Sequence, residues 1–299
     1  FEQAYVLLQR QDRYGQGFGL PFSETPSFDS GENWSWGPEF DGVVRPWTSP
    51  IDSDGDGDLE FLSRPYSAVP NQLENFFRTG RTLANSINLS GGNEKVTYYA
   101  SYSNTTQEGI LENTDYNRNT VKFASSAKFS KRLSTNFSVS YANVVQNSAQ
   151  EGSRPFEGQN AYANAVQSPV NIPFTELRDY NRPFHDFGGY YGSYTSNPYY
   201  ILNEFINEGR IDNFLGTFST TLNIIDGLDL TARIGTNVVD RTIREATAQY
   251  AYADHYVWAD NLVASTRGGR ANSPGFFSQT EGTNSNLDVT GLLNYSRAL

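Results

Sequence analysis

The sequence contains no cysteine and no methionine. Without Cys there is no disulfide framework and no thiolate metal site. Long apolar runs are missing too. Nothing approaches the ~20 consecutive apolar residues that a spanning helix requires, which excludes a helical membrane protein. Basic residues are few, with 22 Lys and Arg against 33 Asp and Glu, a net charge of -11. Such a chain lacks the basic surface that sequence-independent nucleic-acid binding depends on, so no nucleic-acid partner is expected. Only 37% of the 299 residues are apolar, and the mean hydropathy is -0.56. What is abundant is aromatic rings, with 19 Tyr, 20 Phe and 4 Trp, too many for a disordered chain. The chain opens on Phe1 and stops at Leu299 in mid-pattern. It reads as an internal piece of a longer protein, so a missing targeting signal says nothing about destination.

Residues 1–82 are irregular, rich in Gly, Pro, Ser and Asp with isolated aromatics, and are expected to form loops, short strands and turns. From residue 83 the texture changes to period-two alternation, the mark of a strand with two different faces. Val96, Tyr98, Ala100 and Tyr102 alternate with Thr97, Tyr99, Ser101 and Ser103. Leu228, Leu230, Ala232, Ile234 and Val238 alternate with Asp229, Thr231, Arg233 and Asn237. The segments around 121–129, 133–141, 214–224 and 287–295 repeat the pattern, and 83–91 repeats it more weakly. About seven strands of roughly 9–11 residues result, the length that crosses a bilayer at a tilt. Tight turns are expected at 91–95, 130–132 and 226–227, and long connections at 105–116, 145–209 and 240–283.

Short turns at one end and long loops at the other describe a transmembrane β-barrel. The fold class is therefore all-β, part of a large antiparallel transmembrane barrel with short periplasmic turns and long extracellular loops. The alternative is a soluble β-sandwich or β-helix. Against it, the polar face is mostly Ser, Thr and Asn rather than Lys and Glu, and the apolar face ends repeatedly in Phe or Tyr, as interfacial girdles do. Seven strands cannot close such a barrel, and open edges are forbidden in lipid, which again points to a piece of a larger protein.

Several phrases resemble SusC/RagA-type TonB-dependent outer-membrane transporters of Bacteroidetes. They are GENWSWGPEFDG (31–42), the run from NFFRTG through GGNEK and YYASYS to YNRNT (75–120), NPYYILNE (197–204) and IDGLDLTARIG (225–235). The resemblance implies a barrel of about 22 strands, of which this chain holds about a third together with the segment after the plug. It implies location in the outer membrane and import of oligosaccharides or peptides. It also implies a SusD-like surface lipoprotein as partner, and energy from the TonB complex reached through a part outside this chain. No cofactor is implied. A passive porin and a secreted carbohydrate-binding β protein are the alternatives. Enzyme activity is not expected, since no catalytic constellation is present. The two histidines, His185 and His255, have no partner at ligand spacing.

Three clusters carry candidate chemistry. In DSDGDGDLE, Asp52, Asp54, Asp56 and Asp58 lie at alternate positions, a pattern that supplies several oxygens to a hard cation such as Ca²⁺. The twelfth position of an EF-hand loop counted from Asp52 is Ser63 rather than Glu, and a solvated acidic turn is the alternative. Trp34, Trp36 and Trp47 cluster near Phe40 and are expected to pack where plug meets wall, with stacking on sugar rings as the alternative. Tyr190, Tyr191, Tyr194 and Tyr199 in the long connection, with Trp258 in the next, are candidate stacking platforms for a sugar-like substrate, with loop and lipoprotein contact as the alternative.

Overall fold

The computed structural model describes residues 10–19, 25–48, 50, 52–149, 160–186, 196–250 and 273–296. Two short strands, β1 (Val44–Pro46) and β2 (Ser63–Pro65), pair into a ribbon. Seven longer strands form one antiparallel sheet in chain order. They are β3 (Arg81–Gly92), β4 (Val96–Glu108), β5 (Asp115–Lys128), β6 (Leu133–Asn147), β7 (Ile206–Ile225), β8 (Leu228–Thr247) and β9 (Phe276–Tyr295). Two short helices, α1 (Ala161–Gln167) and α2 (Pro198–Glu204), lie between β6 and β7.

The turns follow from their residues. Asn93 Oδ1 accepts from the backbone N–H groups of Lys95 and Val96. Ser130 Oγ does the same for Arg132 and Leu133. Between β7 and β8, Gly227 sits at φ 84, a conformation that costs glycine little.

Pairing places side chains in register across all seven strands. One direct row reads Ile87, Tyr102, Val121, Tyr141, Phe214, Val238 and Ser285. From that row down to the tight turns, this face carries no charged residue. The opposite face carries Ser, Thr and Asn with scattered charge, including Lys122, Arg233 and Asp288. Among the described residues, no side chain of the seven strands is buried on either face. Ile87 is 69% exposed and Val289 73%. The apolar stripes therefore meet no second sheet, which disposes of the sandwich.

The register also fixes a slope. Gly92 ends β3 and connects through Thr97, Ser126 and Asn136 to Ser219, six residues short of Ile225, where β7 ends. Six residues span about 20 Å, and four strand spacings about 19 Å. The tight turns lie on one level only if the strands tilt by about 45°, the tilt of outer-membrane barrels. On β7 the apolar face runs from Phe214 to Ile224, and on β8 from Leu228 to Val238. That is about 34 Å along the strand and about 24 Å along the tilted axis, close to the ~25 Å apolar belt of such barrels.

The strands outrun their expected ends. The connection expected at 105–116 shrinks to 109–114, that at 145–209 to 148–205, and that at 240–283 to 248–275. Past the belt both faces are polar, so hydropathy stops marking the strand while backbone pairing goes on.

The buried core lies elsewhere. Trp47, Leu73 and Phe76 pack with Ala161, Ala165, Ile172, Phe174, Leu177, Tyr199, Ile201, Leu202 and Phe205. This body joins the irregular first segment to the connection between β6 and β7. It attaches to the sheet at its long-loop end. There Arg78 donates to the carbonyls of Gly109 and Thr114, and Asn113 donates to Leu202 O and Asn203 Oδ1.

Substitutions on the two faces should behave oppositely. Phe218→Arg puts a cation near mid-belt, at a cost of about 2–4 kcal/mol on a lipid face, and should lower the folded yield in the outer membrane. Thr217→Arg, one residue earlier and on the opposite face, should leave it near wild type. Fractionation with gel heat-modifiability reads both, and equal yields would refute the assignment of faces.

Candidate functional site

The body at the long-loop end is built on buried amides. Gln16 is fully buried, and its backbone and side chain both bond the Asn171 amide. Gln16 N donates to Asn171 Oδ1 at 3.0 Å, and Asn171 Nδ2 donates to Gln16 Oε1 at 2.7 Å. Gln72 Nε2 donates to Pro169 O at 2.6 Å and Ile172 O at 2.7 Å. Losing either amide would strand buried carbonyls, at about 1–3 kcal/mol each. Asn160 caps α1 by accepting from Ala163 N, and Asn197 caps α2 by accepting from Tyr199 N. Asn197 Nδ2 also donates to Leu177 O and His185 O, both at 2.6 Å. Tyr66 OH donates to Gln16 O and Pro38 O, and burial pushes its pKa up to about 12.

Where sheet and body meet, a cleft of ≈ 660 Å³ opens between β4, β5 and β6 and the start of α1. Gln107, Tyr116 and Gln146 form one direct row on the polar face, and Asn160 and Tyr162 close the cleft from above. Tyr162 is half exposed. Asp115 and Asn147, from the other face at the strand ends, also line the cleft, and Asn147 Nδ2 donates to both oxygens of Asp115 at 3.1 Å. Amides and two tyrosines suit a neutral polar ligand, with rings for stacking and amides for hydroxyl or peptide groups. Reading the strands as ending near 105 and 145 hid Gln107, Tyr116 and Gln146. Both faces are polar there, so hydropathy offered no signal for them.

Tyr199, a candidate stacking platform, is 1% exposed. Its ring packs against Phe76 with centroids 5.4 Å apart, and Arg178 lies over it at 5.3 Å. It belongs to the core because α2 turns its first residues inward, and it presents no free face to a ligand. Tyr190, Tyr191, Tyr194, Trp258 and His255 lie outside the described residues. Trp47 is buried in the core of the body at the long-loop end, while Trp34 and Trp36 are 37% and 51% exposed. His185 is buried beside Trp47, with ring centroids 6.2 Å apart, and neither ring nitrogen has a hydrogen-bond partner among the described residues.

In the acidic loop, Asp52, Asp54 and Asp56 place carboxylate oxygens within 4.8 Å of one another. Asp58 stands outside that group, beyond Gly57 at φ 94. The buried Asp52 carboxylate also accepts from Gly55 N at 2.6 Å and Gly57 N at 3.1 Å. Three carboxylates fall short of the six to eight oxygens that Ca²⁺ takes, so carbonyls or water would have to complete a shell.

No family model matches the chain. A curated relative, "TonB-dependent receptor P26" from Formosa agariphila, is 26% identical over 132 residues, 44% of this chain and 12% of the relative. The chain therefore spans only a small part of that relative's length. Among solved structures, a chain of the "RagAB peptide transporter" is 17% identical over 62% of this chain and 20% of its own, with a TM-score of 0.45. A chain of the "RagAB peptide importer in the 'closed-closed' state" is 12% identical over 96% of this chain and 40% of its own, at 0.47. The relative's name is that of the kind of protein the sequence phrases resemble.

Burial holds the His185 pKa below its ordinary 6.5, while Glu176 and Asp179 pull it up and Arg182 pulls it down. The folded state thus binds fewer protons than the unfolded one. Its contribution is complete above about pH 7 and drains away as pH falls through 6.5. Hydrogen exchange of the 177–186 amides, corrected for intrinsic rate, should show weaker protection at pH 5.5 than at 7.5, and His185→Gln should flatten the difference. Equal wild-type protection at both pH values would contradict this.

Proposed function

We propose that this chain is part of the barrel wall and extracellular mouth of a SusC/RagA-type TonB-dependent importer in the outer membrane. It carries oligosaccharides or peptides and works with a SusD-like lipoprotein over the mouth. The observation that carries the reading is the sheet itself. Within a belt of about 24 Å, at a strand tilt of about 45°, one face is apolar and free of charge, opposite a face mostly of hydroxyls and amides. The phrases at 31–42 and 75–120 and the name of the curated relative support the TonB-dependent class. The cleft of Gln107, Tyr116, Gln146 and Tyr162 lies on the polar face at the long-loop end, where cargo would enter. Its groups recognise cargo without reacting with it.

Deleting the gene should abolish uptake of one class of labelled oligomer, glycan or peptide, and a strain lacking TonB should show the same defect. Uptake that persists without TonB would favour a passive pore. Uptake unchanged for every glycan and peptide tested would end the import reading.

The acidic loop is proposed to hold a calcium ion on Asp52, Asp54 and Asp56. Calcium at millimolar concentration should raise the melting temperature of the intact protein by a few degrees, as ligand linkage requires. Asp54→Ala combined with Asp56→Ala should erase the rise, and its absence in the wild type would dismiss the site.

A further inference from the structure

The ribbon that carries the acidic loop has a charge problem of its own. In its register Arg45 pairs directly with Arg64, so both guanidiniums leave the ribbon on the same side, and like charges placed opposite each other repel. Arg45 is partly answered. Its Nη2 donates to Asp41 Oδ2 at 2.5 Å, and its guanidinium lies 4.7 Å from the centre of the Tyr66 ring and 5.5 Å from that of Phe28. Arg64 has no hydrogen-bond, ion-pair or ring partner among the described residues.

Arg64 is nevertheless not free in solvent. Its Nε and Nη1 are shielded from water and unpartnered, and so is Nη1 of Arg45. Folded proteins leave very few buried N–H groups unsatisfied, and a shielded cation without a counter-charge is costlier still. Three such nitrogens, on two neighbouring cations of which only Arg45 has a carboxylate partner, call for a negative acceptor. Guanidinium donors match the oxygens of carboxylates, sulfates and phosphates.

We infer that Arg45 and Arg64 form an oxyanion site, which takes a carboxylate or sulfate group of an anionic molecule. Arg64 supplies Nε and Nη1, and Arg45 supplies Nη1. Asp41 and the rings of Tyr66 and Phe28 hold Arg45 in place, so that its remaining donor is already aimed. The site would give the import reading a cargo class, an acidic glycan or an acidic peptide. It is tested by binding alone, so its failure and the failure of import are separate results.

The intact protein in detergent is titrated calorimetrically with sodium sulfate and, separately, with sodium acetate, at ionic strength fixed by sodium chloride. Saturable binding of either anion to the wild type is expected. Arg64→Gln, which breaks no contact among the described residues, should weaken it at least tenfold with an unchanged circular dichroism spectrum. Arg64→Lys keeps the charge, loses the planar donors and should fall between. Sulfate binding alone assigns a sulfate ester as the bound group, and acetate binding alone assigns a uronate or peptide carboxylate. No saturable binding of either anion, or binding that Arg64→Gln leaves intact, would overturn the inference.

Discussion

A seven-stranded sheet that buries no side chain on either face cannot stand in water. Fully burying a large apolar side chain contributes about 1.5–3 kcal/mol, and whole domains are stable by only about 5–15 kcal/mol. Leaving Ile87, Leu89, Phe218, Ile234, Leu287 and Val289 in water would by itself consume that margin. Backbone pairing supplies the complementary half of the argument. Every interior strand of the sheet is hydrogen-bonded on both sides, so the peptide groups need no water. Covering by hydrocarbon is the condition on which the tilt, the belt height and the position of the turns become mutually consistent.

The body at the long-loop end obeys the opposite solvent. Its core is an ordinary aqueous one, with Trp47, Phe76, Phe174, Ile201 and Tyr199 buried and amide side chains satisfying the backbone inside it. The two halves are joined by directed hydrogen bonds from Arg78 and Asn113 and by apolar contacts of Leu111, Ala149 and Ala248 at the strand ends. A wall that must stay fixed in lipid thus carries a mouth whose shape is set by contacts of its own. The cleft beneath α1 lies where these regimes meet, with strand residues below and loop residues above.

How much of this was legible in the sequence depended on which solvent a residue faces. Within the belt, alternation marked each strand and its faces correctly, because lipid on one side and water on the other force period two. Above the belt, Glu208, Arg210 and Asp212 share the outer face of β7 with Phe214 and Phe218, and nothing in their hydropathy separates strand from loop. The body was illegible for a different reason. Gln16 meets Asn171 and Gln72 meets Ile172, at separations of 155 and 100 residues. An aromatic such as Tyr199 reads the same whether it lines a core or a binding surface. The composition named rings and amides as the working groups, and only the pairing of distant segments says which of them face inward.

Charge is sorted by the same rule. The polar face of the sheet carries Arg118, Lys122, Lys128, Arg233 and Arg241 against Asp229, Glu245 and Asp288, a cationic excess in a chain whose net charge is -11. The negative surplus therefore sits off that face, in the loops and on the outer side above the belt, where Glu108, Asp115, Glu208, Asp212, Asp240 and Glu281 outnumber Arg81, Arg210 and Arg244. In a closed wall, charges on the polar face would look onto an enclosed wet interior whose low-dielectric walls confine field lines, so that their fields reach farther than over an open surface. Those on the rim stand in electrolyte and are screened within about 8–10 Å. A modest excess of cations on the wall thus counts for more, per charge, than the larger acidic excess outside it. The polar face of these seven strands is thus weakly electropositive although the chain as a whole is acidic.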